Sequence, residues 1–149
     1  MPDKLLNGDL EKQIMEIFDA QLVHPVEIIF FSKPDFCETC VDTKVLLEEL
    51  SNLSKLIFLK AYTIDEDPQT AQQYDVDLAP SIVIAGHEPD EVIDYGIRFA
   101  GQPSGYEFSS LIQAILLVSR RDSGLKSETR KTLHNLKSPI NLKVFATPT

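Results

Sequence analysis

An α/β fold with a central mixed four-stranded sheet flanked by helices is the architecture this sequence predicts. Three observations carry it. Two short apolar runs, residues 26–31 and 56–64, are separated by an amphipathic stretch. Strand, helix, strand in that order forms a parallel pair through a right-handed crossover. Residues 82–85 and 92–99 then flank a turn that begins at Gly86, the arrangement of an antiparallel pair. Finally, apolar residues recur at helical spacing before, between and after these strands.

Residues 9–22 read as the first helix, with Asp9 as its cap and Leu10, Ile14, Ile17, Phe18 and Leu22 on one face. His24 and Pro25 end it. The strand 26–31 follows and, apart from Glu27, is apolar throughout, as expected of a strand covered on both faces. A loop over 32–35 leads to a second helix that begins near Cys37 and runs to about Leu53. Val41, Val45, Leu46, Leu50 and Leu53 form its buried stripe. After the strand 56–64, Asp67-Pro68 opens a short helix with Pro at an early position, where its missing N–H is harmless. That helix carries Ala71 and Tyr74 inward. Ser104 and Glu107 have the spacing of a capping box ahead of a helix that runs to about Ser119. A polar connector and a short helix over 127–136 follow.

The 149 residues suit one domain, or one domain plus part of another. Hydrophobic residues make up 43% and charged residues 25%, an ordinary balance for a chain with a core. The net charge of -9 argues against a nucleic-acid surface, which draws on clustered Lys and Arg. No run approaches the ~18 apolar residues of a membrane span, and residues 1–9 lack the apolar core of a signal peptide. A cytoplasmic location is therefore expected.

The only cysteines are Cys37 and Cys40. So short a loop gains little from a stabilising disulfide, and in a reducing compartment two such thiols point to redox chemistry or a metal. One helical turn brings both sulfurs together. Cys37, at the helix N-terminus, is the expected nucleophile, because unpaired N–H groups and the helix dipole favour a thiolate there. Cys40, one turn further in, is expected to resolve the mixed disulfide. Asp35, Glu38 and Asp42 oppose thiolate formation, and Lys33 and Lys44 are the nearby cations that offset them. Half of a zinc site is the competing reading. His24, His87 and His134 have no ligand-like spacing to the pair, and no metal or other cofactor is expected.

Residues 64–81, ending Leu78-Ala79-Pro80-Ser81, resemble the thioredoxin segment around its substrate-facing cis-proline. Ser32 to Cys40, the stretch from Tyr95 to Phe108 and the C-terminal residues extend the likeness to nearly the whole chain. Together they resemble the N-terminal half of the two-unit protein disulfide oxidoreductases, also called glutaredoxin-like proteins. The resemblance implies a thioredoxin-like fold, Pro80 as a cis-proline and Ala79 as the residue that contacts bound peptide. It also implies an enzyme that exchanges disulfides and dithiols with protein substrates and is itself reduced by a thioredoxin-reductase-like flavoprotein. A non-catalytic unit that docks or supports a second redox unit is the alternative.

Two departures from the family stand out. Phe31 occupies the place of thioredoxin's buried aspartate, so Cys40 must lose its proton to water or to another carboxylate. Glu27 is a weak candidate for that task, since a strand glutamate normally faces solvent. The second cysteine pair is also missing. Residues 138–149 repeat residues 24–35, with Pro139, Phe145 and Pro148 matching Pro25, Phe31 and Pro34. The expected division is a redox unit over 1–119, a linker with a short helix over 120–137, and over 138–149 the first strand of a truncated second unit. Lacking its own sheet, that strand is expected to be disordered, to pack on the domain, or to pair with another chain as a homodimer.

Overall fold

The computed structural model describes residues 3–147. Helix α1 spans Gly8–Gln21, strand β1 Val26–Ser32, helix α2 Cys40–Asn52 and strand β2 Ile57–Thr63. Helix α3 spans Pro68–Gln73, followed by β3 Ser81–His87, β4 Val92–Ala100, α4 Tyr106–Arg120 and α5 Ser127–His134. The sheet order is β2-β1-β3-β4. Strands β1 and β2 are parallel, while β3 runs antiparallel to both of its neighbours. The expected mixed four-stranded α/β architecture is therefore present.

Alternation along β1 sends its side chains to opposite faces. Val26, Ile28 and Phe30 join an apolar cluster with Ile14 and Phe18 of α1, Leu46, Leu47 and Leu50 of α2, and the buried face of α4. Ile29 and Phe31 face the other way and meet Ala71 and Tyr74, which point inward as the sequence predicts, with Val76, Val83 and Ala85. Among the described residues, three helices thus clothe one face of the sheet, and the short α3 covers the other. Arg98 of β4 ties α3 down. Its Nε donates to the Tyr74 carbonyl at 2.9 Å, its Cζ lies 5.6 Å from the Tyr74 ring centroid, and Asp94 receives two further bonds.

Buried polar groups close the end of the sheet opposite the cysteines. Ser119, wholly buried, accepts from the N–H groups of Val23 and His24 and donates to the His24 carbonyl at 2.7 Å. Arg121, the left-handed residue that ends α4, donates to the carbonyls of Val118, Pro25 and His87 and to Glu88 Oε1.

Several local details differ from the sequence reading. Asn7 rather than Asp9 caps α1, its Oδ1 accepting from the Leu10 N–H at 2.9 Å, because the helix starts one residue earlier. The Ser104–Glu107 capping box does not form. Gly105, at φ 59°, is the N-cap of α4, and the Glu107 N–H reaches the Ser104 carbonyl instead of its hydroxyl. Helix α5 forms where expected, but buries nothing, and Leu133 and Leu136 remain exposed. Residues 138–147 are exposed and carry no regular secondary structure, so the strand expected over 138–149 does not form among the described residues. A strand requires a neighbour to pair its backbone groups, and this segment has none among the described residues. Pro148 and Thr149, part of that expected strand, lie outside the described residues.

Candidate functional site

The chain leaves β1 at Ser32 and makes an irregular turn before α2 begins. Phe36 sits at φ 59°, in the left-handed region that bulky residues rarely adopt, with its ring fully exposed. Helix α2 starts at Cys40, not at Cys37 as the sequence reading has it. Phe36 and the non-helical Thr39, at φ -98° and ψ 0°, stop the helix from extending back. Cys37 therefore lies immediately in front of the first turn, with its carbonyl receiving the Cys40 N–H at 3.4 Å. This position still faces the positive end of the α2 dipole.

Cys37 and Cys40 are joined as a disulfide, with their Cα atoms 5.4 Å apart. The two sulfurs differ in surroundings. Cys40 is 6% exposed and belongs to the main apolar cluster, whereas Cys37 is half-buried at its margin. Asp35, Glu38 and Asp42 all face solvent, where screening weakens their effect on the pair. Lys44 is turned along the helix to Glu48, 3.8 Å away.

The Ala79–Pro80 peptide bond is cis. Pro80 is buried directly before β3, whose Ser81 pairs with Phe31 near the end of β1. That register brings the proline to the end of the sheet from which the cysteine turn departs. Ala79 packs against the same apolar cluster as Cys37 and Cys40. The Pro80 carbonyl accepts from the Gly101 N–H at 2.8 Å, and Ser81 Oγ donates to the Leu78 carbonyl at 2.6 Å. These bonds fix both flanks of Ala79.

Large apolar side chains are exposed around this end of the sheet: Phe36 and Val41 beside the cysteines, Leu78 beside Ala79, and Tyr106 at the start of α4. Val41, assigned by helical periodicity to the buried stripe of α2, lies outside it. Phe36 escaped the sequence reading altogether. Its only signal there is a bulky aromatic in a loop, outside any periodic pattern.

Glu27 is neither solvent-facing nor near the cysteines. It is wholly buried, with Lys60 Nζ 2.6 Å from Oε1 and His87 Nδ1 2.7 Å from Oε2. The Phe58 ring stacks on His87, centroids 4.1 Å apart, at the same place. Five residues separate Glu27 from Ser32, about 16 Å of strand at ~3.3 Å per residue. Glu27 also shares the α3 face of the sheet with Ile29 and Phe31, by alternation, while Cys40 packs on the opposite face. It is therefore not the proton acceptor for Cys40. The hydrogen bond to Glu27 is the largest cause raising the Lys60 ammonium above its ordinary pKa of 10.5.

Among the described residues, no three His, Cys, Asp or Glu side chains converge as a metal-binding set. Among the described residues, no helix is long and apolar enough to cross a membrane.

No family model matches the chain. A search among solved structures finds a protein disulfide oxidoreductase from Aeropyrum pernix K1 with a TM-score of 0.77 and 28% identity, covering 92% of this chain and 57% of that one. The fold is thioredoxin-like. The alkyl hydroperoxide reductase component AhpF from Enterococcus faecalis V583, as a C503A mutant, gives a TM-score of 0.73 at 26% identity, over 88% of this chain and 61% of that one. In sequence, the thioredoxin-like unit is 28% identical over 141 residues to the same reductase component from Staphylococcus aureus Mu50, a match covering 95% of this chain. The chain spans about a quarter, 24%, of that curated relative. It is homologous to part of AhpF and fits the N-terminal unit of a two-unit disulfide oxidoreductase, as the sequence resemblance implies.

Proposed function

We propose that this unit exchanges disulfides and dithiols with protein substrates through Cys37 and Cys40. The observation that carries this reading is the unequal burial of two bonded sulfurs at the front of a helix in a thioredoxin-like fold. In the reduced state, the Cys37 thiolate attacks one sulfur of a substrate disulfide. That bond breaks, the leaving thiolate takes up a proton, and Cys37 is held in a mixed disulfide. Cys40 gives its proton to water and attacks the Cys37 sulfur. The Cys37–Cys40 disulfide forms and the second substrate thiol is released, so two electrons have passed to the substrate. Ala79 and the cis Pro80 line the peptide beside the sulfurs.

A redox partner module resembling a flavoprotein returns two electrons to the pair, consistent with the relatives being components of a reductase. A thioredoxin-reductase-like enzyme is the specific partner proposed, and the cytoplasm is the proposed location. Residues 1–119 form the redox unit, 120–137 a linker, and 138–149 corresponds to the first strand of a second unit. With Ile140, Leu142, Val144 and Phe145 exposed, this segment offers a strand through which two copies pair.

The second reading is a unit without its own turnover that supports a neighbouring redox unit. The naming of the curated relatives as one subunit of a reductase favours it. Reduction of insulin disulfides, driven by a dithiol, separates the two. Turnover by the wild type, its loss in Cys37→Ser, and accumulation of a mixed disulfide in Cys40→Ser support exchange. An inert wild type leaves the supporting role.

A further inference from the structure

The substrate class is written in the charge of the flank beside the cysteines. Between Lys60 and Arg98 the chain holds Asp65, Glu66, Asp67, Asp75 and Asp77 among its acidic residues, and no lysine or arginine. Two of the five, Asp75 and Asp77, line a groove of about 570 Å³ together with Ile64, Pro68, Ala71, Gln72 and Val76. Its apolar lining comes from Ile64, Pro68, Ala71 and Val76. Asp75 and Asp77 are exposed on its rim, and neither carries an ion pair among the described residues.

The groove opens at the cysteine end of the sheet. Ile64 donates its N–H to the Ser32 carbonyl, where β1 runs out toward Cys37. Asp77 is two residues from Ala79, so their Cα atoms lie within about 7 Å of each other. A peptide that presents its disulfide to Cys37 beside Ala79 therefore continues within reach of this groove.

We propose that the groove receives the substrate segment flanking the reactive cysteine, and that it selects a basic one. An apolar side chain seats on Ile64 and Pro68, the solvent-accessible part of the apolar lining, while a lysine or arginine a few residues from the cysteine meets Asp75 and Asp77. Charge complementarity names the occupant: the rim has two unpartnered carboxylates and no cation to receive an acidic peptide. This inference rests on the exchange reading above and adds the substrate's character to it.

The test uses the full chain and three labelled peptides that differ at one position near the cysteine, with Lys, Gln or Glu there. Binding is read by fluorescence anisotropy with the peptide cysteine replaced by serine, which is independent of redox chemistry. Each exposed charge pair is worth a few-fold in affinity, so the Lys peptide should bind about five-fold more tightly than the Glu peptide at low salt. The ratio should fall toward one at about 0.5 M salt, where the Debye length drops below ~5 Å. It should also collapse in Asp75→Asn/Asp77→Asn and persist in Asp90→Asn/Glu91→Gln, which removes the same charge from the β3–β4 turn. Equal binding of the three peptides, or a ratio unchanged in Asp75→Asn/Asp77→Asn, would overturn the proposal. Exchange with the uncharged hydroxyethyl disulfide is measured in parallel. No exchange there, with the peptide preference intact, sinks the catalytic reading and leaves the basic-segment groove standing.

Discussion

The guanidinium of Arg121 lies against the bare Cα of Gly86, so closely that a Cβ on Gly86 would stand 2.8 Å from Cζ. The guanidinium has no room to retreat, because three carbonyls from α4, the α1–β1 connection and β3 hold it, together with Glu88. Gly86→Ala should cost about 2 kcal/mol through overpacking, and Arg121→Ala about 3 kcal/mol through loss of its charge-assisted hydrogen bonds to three carbonyls and Glu88. Placed in the Arg121→Ala background, Gly86→Ala should cost almost nothing. Urea unfolding of the two single variants and the double variant measures that coupling.

The Glu27–Lys60 contact gives stability an alkaline limit. The folded-state pKa of Lys60 is raised, chiefly by the hydrogen bond to Glu27, and that of Tyr74 is raised by burial. Both contributions are complete below the unfolded values, 10.5 for Lys60 and 10.0 for Tyr74, and are lost as pH climbs through the folded ones. The unfolding midpoint should therefore decline between about pH 9 and 12, and decline less steeply in Lys60→Met. Identical slopes in the two proteins would show that the Glu27 contact does not contribute.

Reduction should expose the inequality of the two sulfurs. Cys37 lies half-buried in front of α2, and Cys40 is closed into the core. In the reduced protein, iodoacetamide should modify Cys37 about ten-fold faster than Cys40. Peptide mass mapping at short times gives both rates.

Phe36 combines full exposure with a backbone angle that costs a bulky residue about 1 kcal/mol. A residue kept under those conditions adds nothing to the core. Phe36→Asn should leave stability unchanged or raise it by up to about 1 kcal/mol, and should slow reduction of a protein disulfide several-fold. Thermal melts and insulin reduction measure the two effects, and a loss of stability would make Phe36 a packing residue instead.

Much of this was readable from periodicity and turn chemistry. The helix–strand order follows from the alternation of apolar runs, and the cis peptide follows from the likeness around Pro80. What escaped depends on tertiary surroundings. A lone glutamate in an apolar strand reads as an exposed face, yet Glu27 is buried because Lys60 and His87, on the two neighbouring strands, converge on it. Their meeting is set by register, which sequence spacing does not give. The cap of α1 moved two residues, from Asp9 to Asn7, because both side chains can accept there, and α4 is entered through Gly105 with no side-chain cap. The C-terminal apolar stretch has strand periodicity, but a strand is defined by its neighbour. The cysteine positions were plain in the sequence, while the start of α2 depended on a left-handed residue at Phe36 that no pattern announced.

The uneven clothing of the sheet grades its resistance to opening. The face covered by α1, α2 and α4 holds most of the apolar mass, and the strip formed by α3 and the chain after it rests on a thinner layer. Under mild denaturant, amides from Ala71 to Asp77 should exchange with solvent before those of β1 and β3. That strip is also the groove wall, so anything lodged there would announce itself by slowing amides that otherwise exchange ahead of the inner strands.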